Sequence, residues 1–177
     1  MPETPFEHCS RCGATPLVTK SSREFHCRDC GHHHWVTPIP AAGALIMDGQ
    51  GRLLVVRRAH EPGKGQLGLP GGVIEPGETG EQAAARETEE EVGLVVPPEA
   101  LRYLVSLNNA YLYQGFVWPT IDLFYVGEVE SFGVLRPAPG EVSEVLLFPL
   151  SSVPLQEFAF ESNAEAVRRL LRQRSDG

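Results

Sequence analysis

The stretch "LPGGVIEPGE", residues 69–78, places two prolines and three glycines in ten positions, and seven carboxylates lie between Glu75 and Glu91 with Arg86 as the only base among them. Proline fixes φ and glycine frees it, so this segment must bend tightly. The sequence Thr79-Gly80-Glu81-Gln82 then has the form of a capping box, which predicts a helix beginning at Thr79. Gly93 is placed to end it. A period of 3.6 residues puts Glu87, Glu90 and Glu91 on one helical face, at i, i+3 and i+4, and turns Ala85, Thr88 and Val92 toward a core. Like charges at these spacings cost a helix a few tenths of a kcal/mol per pair, and Arg86 offsets one of them through Glu90. For a Glu-rich helix the plain alternative is a solvated acidic face. A Gly-rich turn feeding a carboxylate-lined helix can instead hold hard cations with backbone carbonyls and side-chain oxygens.

The apolar runs around this segment read mostly as strands. "GALIM" (43–47), the turn "DGQG" (48–51) and "RLLVVRRA" (52–59) predict a β-hairpin. "LRYLVSL" (101–107), "TIDLFYVGEVE" (120–130) and "EVLLFPL" (144–150) are rich in branched and aromatic residues and predict further strands. "ESNAEAVRRLLRQR" (161–174) carries Ala164, Val167, Leu170 and Leu171 on one helical face. Two helices flanking a mixed sheet give an α/β sandwich.

All four cysteines fall in the first 30 residues, as Cys9-x2-Cys12 and Cys27-x2-Cys30 with a 14-residue gap. This approaches the spacing of a structural zinc site, with Gly13 and Gly31 supplying the turns that aim both sulfurs of a pair at one ion. Four thiolates would close a tetrahedral shell and leave no open position, so the ion would be structural. Two disulfides in a secreted fragment are the alternative, which the visible N-terminus "MPETPFEHC", without a basic patch and apolar run, does not favour. So short a segment buries little core, and zinc binding should drive its folding. The arrangement resembles a zinc ribbon. "HHH" (32–34) is expected as solvated residues on its last turn, and "VTPIPAAG" from Val36 as a linker.

A length of 177 residues and 42% hydrophobic content suit one domain with a small appendage. The longest apolar stretch, Ala41 to Met47, is far short of a membrane span. These features predict a soluble cytoplasmic protein. The net charge of −8 argues against nucleic acid as the main partner. It leaves room for a phosphorylated small molecule bound through divalent cations.

Gly72, five residues, Glu78, seven residues, then "RETEEEVGL" (86–94) resembles the box of the Nudix hydrolase family, G-x5-E-x7-R-E-U-x-E-E-x-G-U with U aliphatic. Seven fixed polar or glycine positions agree over 23 residues, and Leu94 fits as well; Thr88 stands where an aliphatic residue is usual. "LLVVRRAHEPGKGQLGLPGG" resembles the strand and loop entering the box, with Leu67 where many members have tryptophan. The resemblance covers roughly residues 40–150. It implies a Nudix α/β/α sandwich over residues 38–177 behind a four-cysteine zinc ribbon over residues 1–37, a layout similar to NADH pyrophosphatases. It implies hydrolysis of a nucleoside diphosphate linked to another group, with Glu87, Glu90 and Glu91 binding Mg2+ or Mn2+ beside the carbonyl of Gly71. Arg86 and Glu78 would hold loop against helix. The base would be Glu87, followed by Glu141 or Glu144 in "GEVSEV", which are equally well read as a solvated loop.

The substrate is less constrained. The stretch "SLNNAYLYQGFVWPT" (106–120) keeps a serine and aromatics of the NADH pyrophosphatase signature but not its pattern, and the proline that marks ADP-ribose pyrophosphatases is missing. Tyr111, Tyr113, Phe116 and Trp118 are candidates to stack on a base, though alternating aromatics also serve ordinary packing. The expectation is a dinucleotide such as NADH, or ADP-ribose or a nucleotide sugar. A nucleoside triphosphate pyrophosphohydrolase is the second enzyme reading, and a nucleotide-sensing binding module the reading of another class. The ribbon is a candidate for homodimerisation.

Overall fold

The computed structural model describes residues 5–15 and 17–175; residues 1–4, 16, 176 and 177, which fall within the two expected domains, lie outside the described residues. A small three-stranded sheet comes first, built from β1 (Val18–Thr19), β2 (Glu24–His26) and β3 (His33–Trp35), all antiparallel. The expectation for residues 32–34 needs correction in part. His33 and His34 enter β3 and not a turn, and strand alternation sends neighbours to opposite sides. His33 is exposed and pairs with Glu24 at 2.8 Å, whereas His34 is buried with its ring 5.2 Å from that of Phe6.

The larger sheet comprises β4 (Ile39–Asp48), β5 (Arg52–Arg58), β6 (Leu67–Gly68), β7 (Gly71–Val73), β8 (Arg102–Tyr113), β9 (Phe116–Val129) and β10 (Val142–Pro149), in the order β10-β5-β4-β9-β8 with β6 on β5 and β7 on β4. It is mixed: β4 runs parallel to β9, while β5, β10 and β8 join antiparallel. The proposed linker is mostly strand, because β4 starts at Ile39 and its first residues pair with Thr120–Leu123. Pro40 has no N–H to give, yet its carbonyl accepts from Ile74 N at 3.1 Å, so the proline is tolerated there. The "DGQG" turn is held by Asp48, whose Oδ1 accepts from Gln50 N and Arg52 N while Oδ2 takes Arg52 Nε at 2.8 Å. Strands β8 and β9 extend into residues 108–119 and meet at Gln114–Gly115, both with positive φ, the backbone a two-residue hairpin loop requires.

Helices α1 (Gly80–Val92) and α2 (Glu161–Ser175) cover the two faces. Strand β4 divides its side chains between them. Leu45 and Met47 pack with Ala164, Val167 and Leu170 of α2, and Ala44 and Ile46 with Ala83, Ala84 and Val92 of α1. Strand β5 does the same through Leu53 and Val55 on one side and Leu54 and Val56 on the other. Strands buried on both faces read as continuous apolar runs, which is why "ALIM" and "LLVV" lack alternation. Each such side chain stabilises the fold by about 1.5–3 kcal/mol. The result is the expected α/β/α sandwich. No helix among the described residues is long and apolar enough to cross a membrane.

Candidate active site

The loop and α1 meet as the sequence predicts. Thr79 is the N-cap, its Oγ1 accepting from Gln82 N at 3.3 Å while Gln82 Oε1 accepts from Thr79 N at 2.8 Å, and Gly93 ends the helix in the left-handed conformation. Thr88, the departure from the family pattern, is fully buried and donates its hydroxyl to Ala84 O at 2.7 Å. The hydroxyl is thus satisfied within the helix, and the remaining methyl packs as an aliphatic group does.

Arg86 organises the acidic face. Its Nε and Nη2 form a two-pronged pair with Glu78 at 2.7 and 2.9 Å, and Nη2 also donates to Val73 O at 3.2 Å, tying α1 to β7. Nη1 reaches Glu87 at 2.8 Å and Glu90 at 3.0 Å. The Arg86 hydrogen bonds, joined by Glu75 N–H, pull the Glu78 carboxyl down to about 2. A Cβ at Gly72 would overlap the Glu87 carboxylate, so that side chain would have to swing away from its place beside the loop. Gly71 is likewise pressed against the backbone of Ala42.

Glu91 receives no such compensation from Arg86. Burial, and then the charges of Glu87 and Glu141, push its carboxyl up to about 8, against the effect of the Gly71 backbone N–H. Its Oε2 is buried without a hydrogen-bond partner. Burial also raises Glu87. Buried carboxylate oxygens are ordinarily partnered, and an orphaned one beside two further carboxylates fits the oxygen donor set of a hard divalent cation. Of the two carboxylates outside the box, Glu141 lies close enough for its charge to act on Glu87 and Glu91. Glu144 is engaged instead by Arg57 Nε at 3.1 Å.

The four cysteines also converge. Their Sγ atoms lie within 4.8 Å of one another, with Cys9–Cys30 and Cys12–Cys27 each at 3.6 Å. A tetrahedron with Zn–S of about 2.3 Å has S···S edges of roughly 3.8 Å, so the cluster fits that ion. Burial works against ionisation of Cys9, but the His34 imidazole and the Cys12 and Arg11 backbone N–H groups prevail and bring its thiol down to about 5.

Beside Gly71 and Gly72 opens a cavity of about 560 Å3 between the β4–β9–β8 face and the start of α2. Tyr111, Tyr113 and Trp118 line it. Phe116 does not; it packs edge-on against Trp118, ring centres 4.9 Å apart. Sequence reasoning missed Asn109, Thr120, Asp122, Phe160 and Asn163, which also line it. A signal existed for part of this: Trp118, Thr120, Asp122 and Phe124 share one face of β9 by the two-residue period, and Thr120 and Asp122 interrupt an apolar face.

A NUDIX domain family model matches residues 37–170. Over 150 residues the chain is 32% identical to the NAD-capped RNA hydrolase NudC of Chromobacterium violaceum, covering 82% of this chain and 51% of that protein. Over 116 residues it is 41% identical to the ADP-ribose pyrophosphatase of Methanocaldococcus jannaschii, covering 66% and 65% respectively. The chain thus spans about half the length of the NudC relative that it matches. The crystal structure of a NUDIX hydrolase from Nitrosomonas europaea shares the fold, with a TM-score of 0.72 at 24% identity over 97% of this chain and 94% of that one. With the loop, the acidic helix and the sandwich all in place and the family model spanning most of its length, the chain belongs to the NUDIX domain family.

Proposed function

We propose that the chain hydrolyses the phosphoanhydride of a nucleoside diphosphate linked to another group, a dinucleotide such as NADH or an ADP-ribose-type compound. The observation that carries this reading is the orphaned, buried Glu91 oxygen beside Glu87 and the aromatic cavity. It is supported by likeness to an ADP-ribose pyrophosphatase and to a hydrolase of NAD-capped RNA. In this reading Glu87, Glu90 and Glu91, with the Gly71 carbonyl, hold Mg2+ or Mn2+. Such ions, when bound, neutralise a diphosphate, polarise the attacked phosphorus and acidify a water. Glu87 accepts the proton of the attacking water, with Glu141 the next candidate and Glu144 less well placed. Arg86 and Glu78 keep the carboxylates aimed. Tyr111, Tyr113 and Trp118 form the wall for the base, and Phe116 supports Trp118. Residues 1–37 act as a zinc ribbon through Cys9, Cys12, Cys27 and Cys30, ahead of a hydrolase domain over 38–177.

Products test the reading. Purified protein with Mg2+ or Mn2+ and NADH or ADP-ribose should release two monophosphates, whereas release of pyrophosphate from a nucleoside triphosphate would favour the second enzyme reading. Glu90→Gln should abolish turnover. Ligand binding without turnover in the unaltered protein would mark a sensor and overturn the proposal.

A further inference from the structure

The floor of the cavity carries a polar network that the hydrolytic chemistry does not use. Asp122 is only 7% exposed, and each of its oxygens takes one hydroxyl proton. Thr120 Oγ1 donates to Oδ1 at 2.8 Å and Ser162 Oγ to Oδ2 at 2.7 Å. Asn163 Nδ2 donates in turn to Ser162 Oγ at 3.4 Å, while its own Oδ1 is taken by Leu69 N at 2.8 Å. The Asn163 amide takes a lone pair of Ser162 Oγ, which leaves that hydroxyl's hydrogen for Asp122 Oδ2. Both hydroxyl hydrogens point at Asp122, so the hydroxyls and the carboxylate have only lone pairs left to offer. Two hydroxyls do not exhaust the lone pairs of the two carboxyl oxygens, so acceptor capacity remains.

This acceptor floor lies among rings. Tyr111 and Phe160, with centroids 5.6 Å apart, and Trp118 line the same cavity. Asn109, which pairs with Thr120 across the strands, accepts from Ala110 N through its Oδ1 at 2.8 Å and so retains its amide hydrogens. Aromatic walls take a flat ring. A buried acceptor beneath them discriminates strongly, because a ligand without an N–H at that point strips water from the carboxylate and returns nothing.

We propose that Asp122 is a specificity-determining residue, selecting nucleotides whose heteroaromatic ring bears an exocyclic amino or carboxamide N–H and rejecting rings that lack it. The assignment rests on the hydrolase reading for how the diphosphate reaches Gly71 and Gly72. The selection itself is a property of the cavity and needs no turnover. Adenine and nicotinamide share this chemistry, and two ligand pairs separate them.

Calorimetric titration of the full chain compares AMP with purine riboside 5′-monophosphate, which lacks only the amino group. It also compares nicotinamide mononucleotide with nicotinic acid mononucleotide, in which an oxygen anion replaces the amide nitrogen. The amino-bearing member of at least one pair should bind about tenfold tighter or more, and the pair showing the gap names the ring. Asp122→Asn, which keeps the shape and exchanges one acceptor for a donor, should shrink that gap to about threefold or less. Equal affinities within both pairs, no measurable binding of any of the four, or a gap that survives Asp122→Asn would each overturn the assignment. Should that variant fail to fold, the unaltered protein's two pairs decide alone. Selective binding without hydrolysis of NADH or ADP-ribose would overturn the hydrolase reading and leave the selection standing.

Discussion

Gly71 and Gly72 separate two regions of opposite construction. On one side, Arg86 holds the acidic cluster through partners no more than 13 positions away: Val73, Glu78, Glu87 and Glu90. On the other, Asp122 meets Ser162 across 40 positions and Leu69 meets Asn163 across 94. The first region gathers Glu78, Glu87 and Glu90 around one guanidinium and leaves an oxygen of Glu91 without a partner. The second gives its single carboxylate one neutral hydroxyl per oxygen and surrounds it with rings. A reactive centre built from neighbours in sequence can stay fixed while a recognition cavity built from distant strands changes around it. Under the proposed hydrolase reading, reaction class and substrate choice are thereby separable.

The sharpest way to break this contrast is Glu91→Gln. Turnover should fall about 100-fold or more in steady-state assays, while Glu89→Gln, on the exposed side of the same helix, should leave it unchanged. The same Glu91→Gln change should raise the melting temperature of metal-free protein, since it removes a buried charge with an unpartnered oxygen. The sign follows from the pKa. Glu91 titrates near 8 in the folded chain against about 4.5 unfolded, so it takes stability away as pH rises through that window, and the advantage of the glutamine should widen from pH 5 to 8.

Arg86→Ala should be next in size. It leaves Glu78, Glu87 and Glu90 facing one another, and unfolding by urea should show a loss of about 2–3 kcal/mol, with activity down about tenfold to 100-fold. Gly72→Ala separates aim from stability. The group its methyl would displace is the mobile end of Glu87, so Mn2+ affinity should drop about tenfold with little change in melting temperature. The smallest effect belongs to Glu78. Its folded carboxyl sits at about 2, well below the unfolded value, so its contribution is present above pH 4.5 and fades as pH falls toward 2. Glu78→Gln should flatten the melting temperature over that acid range, a slope opposite in sign to that of Glu91.

Legibility followed the same division. The helix limits, its capping box, its left-handed glycine and the shared face of Glu87, Glu90 and Glu91 depend on contacts within a turn or two, and a pattern of residues specifies such contacts directly. The double burial of "ALIM" and "LLVV" showed in their unbroken apolar character. The strand identity of residues 39–43 was hidden by two prolines, because their partner, β9, begins nearly 80 positions later. His34 was masked for a related reason, since only strand alternation turns it inward from between two more exposed neighbours.

What the sequence by itself determined is the acidic helix, the loop that feeds it and the paired cysteines, all fixed by backbone geometry over short spans. What only the tertiary structure decided is the cavity: which aromatics face it, that Phe160 and Asn163 reach it from the start of α2, and that Asp122 is buried under hydroxyls pointing the same way. Short-range order follows from the conformational preferences of adjacent residues, whereas a cavity exists only after strands β4, β8, β9 and helix α2 have packed, and no local pattern encodes that meeting.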